Sequence, residues 1–267
     1  MKLAKGYLGI TGVEIKRPTT ETITSTAELV RDGKYFLALC NFVTSCIEGF
    51  EMDLENVTTK DRIKILTREM PIRSLYTLLV EILIFNDQHE EGTDDGIEGI
   101  YSCPRCGNEV ICELKDGIDT RDHLKEFPIN YDDSQSMEIL LKTPVIIETG
   151  KNESVTINSL EMKYPTITDY IEMEARYGLK NESKIQINAY RKNITAINGA
   201  VADKQFLNLY GEKIFQNMYM PDMTAIAEKI NQCGIQTTVN KVCNKCGKEW
   251  KEEVNTNNFF VSLLRLN

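Results

Sequence analysis

Two stretches of this chain constrain its fold more than any others: "YSCPRCGNEV", Tyr101 to Val110, and "KVCNKCGKEW", Lys241 to Trp250. Each carries Cys-x-x-Cys-Gly. Two cysteines separated by two residues can reach one metal ion from a tight turn, and the glycine that follows tolerates the positive φ such a turn needs. One pair supplies half of a tetrahedral thiolate shell, and two pairs complete it. The spacing therefore predicts a single site formed by Cys103, Cys106, Cys243 and Cys246, zinc-ribbon-like, with zinc as the ion. A redox pair is the competing reading of Cys-x-x-Cys, but two matching copies favour metal. Four thiolates fill the coordination shell and leave no position for water or substrate, so the zinc is expected to be structural. It would close a loop of about 140 residues.

The other four cysteines read differently. Cys40 and Cys46 lie in an apolar helical stretch and are expected to be buried, as are Cys112 and Cys233. With no sustained apolar leader at the N-terminus, eight cysteines point to a reducing compartment and to metal rather than disulfides. The longest apolar run, "SLYTLLVEILIF" from Ser74 to Phe85, is interrupted by Glu81 and is too short to span a membrane.

Order along the chain suggests two weakly repeated halves. "TSCIEGF" (44–50) aligns with "ITAINGA" (194–200), and Met70-Pro71 falls on Met220-Pro221, both at an offset of 150. A helical segment and a knuckle follow each Met-Pro. The first interval is longer, and an acidic insertion, "NDQHEEGTDDGIEG" (86–99), accounts for the difference; a solvated loop is its simplest reading. The expected class is α+β, mainly α-helical, with the halves joined by the shared four-cysteine site. Residues 1–27 are expected as an N-terminal extended segment, with the Thr-rich run extended to about Thr24. Residues 28–150 form a first half with its knuckle at 103–107, and 151–267 a second half with its knuckle at 243–247. Within them the periodicity predicts one helix over Glu28–Ile47, helices after Thr59 and Pro71, and a helix from Thr166 to Gly178. "KIQINAYRKNITAING" fits helix or strand, and a hairpin turns at Gly150–Asn152.

The formal net charge of -9 argues against a broad phosphate-binding face. No nucleotide-binding or metalloprotease motif occurs, and the two histidines, His89 and His123, read as solvated residues, so no enzymatic activity is expected. The C-terminal "NNFFVSLLRL" is apolar for a chain end; Phe259 and Phe260 either pack beside the knuckles or dock into a partner groove.

Taken together, "YSCPRCG" near the middle, "INQCGIQTTVNKVCNKCGKEW" near the end and the closing Phe259-Phe260 resemble the baseplate hub and hub-assembly proteins of T-even-type contractile bacteriophages. The resemblance implies a non-enzymatic structural or assembly component of the tail baseplate hub. Its partners would be other hub proteins and the tape measure, with neither membrane nor nucleic acid involved. It would act in the host cytoplasm during assembly and reside in the virion baseplate if it is built in. The alternative reading is a zinc-ribbon nucleic-acid-binding or transcription-associated protein, for which Lys241, Lys245, Lys248, Trp250 and Lys251 would supply the contacts.

Overall fold

The computed structural model describes residues 10–52, 56–57, 59–87, 98–113, 136–150, 152–231 and 238–253. The fold is mixed α/β. Its elements run β1 (Ile10–Ile15), α1 (Thr20–Arg31), α2 (Tyr35–Ser45), β2 (Ile47–Met52), β3 (Asn56–Val57), α3 (Lys60–Glu69), α4 (Ile72–Asp87), β4 (Glu98–Ser102) and β5 (Glu109–Glu113). After these come β6 (Met137–Glu148), β7 (Ser154–Met162), α5 (Ile167–Tyr177), a 3-10 turn, α6 (Glu182–Lys192), β8 (Ile194–Ile197) and β9 (Ala200–Val201). The remainder is α7 (Lys204–Gln216), α8 (Met220–Asn231), β10 (Thr238–Val242) and β11 (Glu249–Glu253).

Two departures from the sequence reading lie near the N-terminus. The Thr-rich run is helical from Thr20, so the extended segment ends at Ile15. Thr19 caps that helix by accepting from Thr22 N at 3.2 Å, and the Thr26 hydroxyl donates back to Thr22 O at 2.7 Å. Local side-chain bonds thus satisfy a stretch whose β-branched residues suggest a strand. The single helix expected over Glu28–Ile47 is two helices, broken at Gly33, which has φ 74°. Ile47 begins β2 instead of ending a helix.

The ambiguous segment 184–199 resolves as helix and then strand. Asn198 and Gly199, at φ 52° and 75°, turn β8 into β9. That is the Asn-Gly hairpin turn whose twist matches the flanking strands. The helix from Thr166 forms as expected: Thr166 and Asp169 make a reciprocal capping box, and Gly178 ends it at φ 72°.

Two apolar cores form. The first combines β1, β2 and α2–α4 with Ile167, Tyr170, Met173, Ile185 and Ala189 from α5 and α6. The second gathers β6–β8, α7 and α8 with Tyr190. Residues on both sides of position 150 therefore share the first core. Glu174 of α5 reinforces this contact, its carboxylate accepting the Phe36 amide at the start of α2 at 3.1 Å. Burial pushes that carboxyl pKa up, and the α2 amides of Phe36, Tyr35 and Leu37 offset part of the shift.

The antiparallel strand pairs β1–β2 and β7–β8, each with two helices between its strands, share a register. Glu14 faces Gly49 and Ile15 faces Ile47, leaving Glu48 as an extra residue; Glu161 faces Ala196 and Met162 faces Ile194, leaving Thr195. Lys16 N donates to Cys46 O at 2.8 Å, and Lys163 N donates to Asn193 O at 2.9 Å. The matching segments are "EIKRPT" (14–19) and "EMKYPT" (161–166), each leading into a helix capped by its Thr. Ile47 is set against β1 as Ile194 is set against β7, a separation of 147 residues where the sequence alignment used 150.

Candidate metal centre

Each cysteine pair sits at the tip of a two-stranded hairpin. In the first, β4 and β5 pair in register up to Ser102 with Glu109, after which Cys103 N donates to Asn108 O at 2.8 Å and Gly107 N to Cys103 O at 2.9 Å. In the second, β10 and β11 pair up to Val242 with Glu249, and the two closing bonds recur between Cys243 and Lys248 and between Gly247 and Cys243, both at 2.9 Å. Gly107 and Gly247 hold φ 67° and 66° in open space, so any side chain there would be strained by backbone conformation alone.

The tips meet. Sγ of Cys103 lies 3.7 Å from Sγ of Cys246, and Sγ of Cys106 lies 3.6 Å from Sγ of Cys243. All four sulfurs fall within 4.8 Å of one another. Thiolates at about 2.3 Å from a tetrahedral ion stand about 3.8 Å apart along each edge. The observed spacing therefore fits a shared ion and is far longer than the about 2.05 Å of a disulfide. The cluster can hold a metal ion, and its all-thiolate donor set suits zinc or iron.

The four thiols are not equivalent. The first cysteine of each pair is buried, Cys106 is exposed and Cys246 lies between. Desolvation pushes the Cys243 thiol up, but the amides of Cys246 and Lys245 and the neighbouring sulfurs outweigh it and hold its pKa at about 6. Cys103 is drawn down in the same way, against desolvation, by the amides of Arg105 and Cys106 and by the sulfurs of Cys246 and Cys106. Cys246 goes the other way: the Lys248 amide favours its thiolate, but desolvation and the sulfurs of Cys106, Cys103 and Cys243 together push it up to about 11. Once some sulfurs are ionised, the next resists, and a cation among them removes that resistance.

Two contacts that the sequence reading did not identify tie the hairpins together. Asn108 Nδ2 donates to Asn244 Oδ1 at 2.8 Å. Lys241 Nζ stands 4.5 Å from the centre of the Tyr101 ring, and Lys241 is only 4% exposed. Tyr101 in turn packs on the first core. The signal was present, since Tyr101 and Lys241 each precede the first cysteine of their pair by two residues.

Cys40 and Cys46 are buried and distinct from the four-cysteine cluster; burial raises both thiols, Cys46 to about 11. Phe259, Phe260, His89, His123, Cys233, residues 88–97 of the acidic insertion and the side chain of Cys112 lie outside the described residues. Among the described residues, no helix is long and apolar enough to cross a membrane. Comparison with protein-family profiles, with curated proteins and with solved structures found no match to this chain.

Proposed function

We propose that the chain is a zinc-stapled structural or assembly component of a contractile phage tail, acting at the baseplate hub. The observation that carries the staple is the 3.6–3.7 Å spacing of sulfurs brought from hairpins 137 and 143 residues apart in sequence. Zinc is the ion proposed, because four thiolates in a closed tetrahedron suit it and leave no open coordination position. The baseplate assignment rests on the sequence resemblance of the knuckles and of Phe259-Phe260, and a non-enzymatic role is part of the same proposal.

The chain is further proposed to consist of two related units. Support comes from the shared register and extra residue of β1–β2 and β7–β8 and from the equivalent bonds of Lys16 and Lys163. In both units a helix pair, a short hairpin, a second helix pair and a knuckle hairpin then follow in the same order. The zinc would join the last hairpin of one unit to the last hairpin of the other.

Elemental analysis tests the staple: one zinc per chain, with four thiols protected until a chelator is added, is expected. Deleting the chain from its phage and counting completed tails by electron microscopy tests the role. Loss of finished baseplates is expected, and normal numbers of infective tails would refute it. The nucleic-acid reading loses one contact, since Lys241 is turned inward onto Tyr101. Exposed Lys245, Lys248 and Lys251 remain, and a salt-dependent mobility shift would restore that reading.

A further inference from the structure

β7 and its counterpart β1 differ in their neighbours. β7 lies inside a sheet of order β6-β7-β8-β9, whereas the other sheet runs β1-β2-β3, so among the described strands β1 pairs with β2 alone. β6 follows the first knuckle hairpin and runs antiparallel along the first strand of the second unit, with Met137 opposite Met162 and Ile139 opposite Leu160. Its place along the chain has a counterpart after the second knuckle hairpin, in residues 254–267. The N-terminus cannot fill that place. β6 and its turn take up 137–153 ahead of β7, whereas a separation of 147 residues sets 154–162 on 7–15 and leaves only 1–6 ahead of it.

The helices behind the sheets point the same way. α7 and α8 pack on β6; Ile226 and Ile230 of α8 are buried, while its Met220, Thr224 and Glu228 are exposed. α4 holds the equivalent place in the first unit, and no described residue of α4 is exposed. Its Leu75, Leu78, Leu79, Val80, Ile82 and Leu83 are at most 1% exposed. Three consecutive buried positions already span more than half of a helix's circumference, so α4 is covered on more than one side. α2 covers one of these. Of the stretches outside the described residues, 88–97 and 114–135 are rich in charge. The segment 254–267 instead brings Phe259, Phe260, Val261, Leu263, Leu264 and Leu266, with Arg265 as its one charge.

We propose that the chain's own C-terminal segment, 259–266, adds an antiparallel strand to the edge of β1, as β6 adds to β7, and lays its apolar side on α4. "VSLL" (261–264) repeats the pattern of "MEIL" (137–140), in which Met137 and Ile139 are buried and Glu138 and Leu140 exposed. Val261 and Leu263 therefore take the inward places, and Ser262 and Leu264 the outward ones. Each unit is completed by the strand that follows the other unit's knuckle, which ties the halves together a second time, apart from the cysteines. The edge of β1 is thereby satisfied within the chain and closed to strand addition by a partner.

The proposal rests on the equivalence of the two units and not on the metal or the phage assignment. A tail lying elsewhere would leave the shared register of β1–β2 and β7–β8 as it is, so the two readings fail separately. Hydrogen exchange followed by mass spectrometry tests it on the full chain, on a chain ending at Asn258 and on two variants. Leu263→Asp charges an inward position, and Ser262→Asp an outward one beside it. Peptides of β1 and α4 are expected to exchange about tenfold faster in Leu263→Asp and in the shortened chain than in wild type, and at the wild-type rate in Ser262→Asp. Peptides of β7 and of β10–β11 should be unchanged throughout, which verifies that the fold and the knuckles persist. The pair of aspartates decides even where the shortened chain fails to fold. Unchanged exchange of β1 and α4 in Leu263→Asp, or an equal effect of the two aspartates, would overturn the proposal. Sedimentation velocity on the wild type identifies the source of the strand: β1 should be protected while the chain is monomeric. Protection that appears only as dimers form would give the strand to a second copy and overturn the proposal as well.

Discussion

Replacing Cys243 and Cys246 together by serine takes two of the four donors from the cluster and leaves the hairpin backbones intact. Its cost follows from linkage: an ion that binds only the folded chain stabilises it by RT ln(1 + [M]/Kd), about 1.4 kcal/mol for each tenfold rise in free metal above Kd. For a chain of this size that is about 3–6 °C in melting temperature per decade of free zinc. An ion that stayed bound in the unfolded chain would instead act as a cross-link, worth about 5 kcal/mol for a loop of about 140 residues, and the melting temperature would then stop responding to further metal. Melts followed by circular dichroism in zinc buffers separate these cases. The wild type should climb with the logarithm of free zinc. The double variant should lie flat at the temperature of chelated wild type, with most helical signal kept, because both apolar cores are built without the hairpin tips. A wild type indifferent to zinc and chelator, melting with the double variant, would refute the staple.

Other perturbations probe the surroundings. Lys241→Met should cost about 0.5–2 kcal/mol in urea unfolding by removing the cation over Tyr101, and Lys241→Arg should recover most of it. Asp222 is 1% exposed and accepts the amides of Lys142 at 2.8 Å and Thr143 at 3.3 Å, so Asp222→Ala should cost about 1–3 kcal/mol or more by the same measurement. The Glu174 carboxyl is raised, so the folded chain holds its proton more tightly than the unfolded chain. Its contribution is fully present below the ordinary carboxyl pKa and is lost as pH rises through the folded value. Glu174→Gln should flatten that fall, and a pH–stability profile matching wild type throughout the acid range would contradict this.

The four-cysteine cluster was legible because its chemistry is local at each end: two cysteines and a glycine define a turn, and two such turns bring four sulfurs together. What set them against each other was not legible. The Lys241–Tyr101 contact joins residues whose types suggest a phosphate contact and a core aromatic, and only the folded arrangement faces them. The single helix expected over 28–47 failed because apolar periodicity continues across Gly33, while the break depends on one backbone angle. The α1 start was misread because Thr-rich segments favour strands until a cap and back-bonding hydroxyls satisfy the helix. The Asn198-Gly199 turn was a signal passed over, because the sequence reading used Gly199 only as a match for Gly49, while the structure uses it with Asn198 to turn β8 into β9.

The distance between the cysteine pairs also sets an order of events during translation. Cys103 and Cys106 leave the ribosome well before Cys243 and Cys246, so a nascent chain holds at most half of the four-thiol set while α5–α8 are made. At about 5–20 residues per second the wait lasts on the order of ten seconds. A chain truncated before Cys243 lacks two of the four thiols, so an ion held by all four would report that synthesis has passed Cys246.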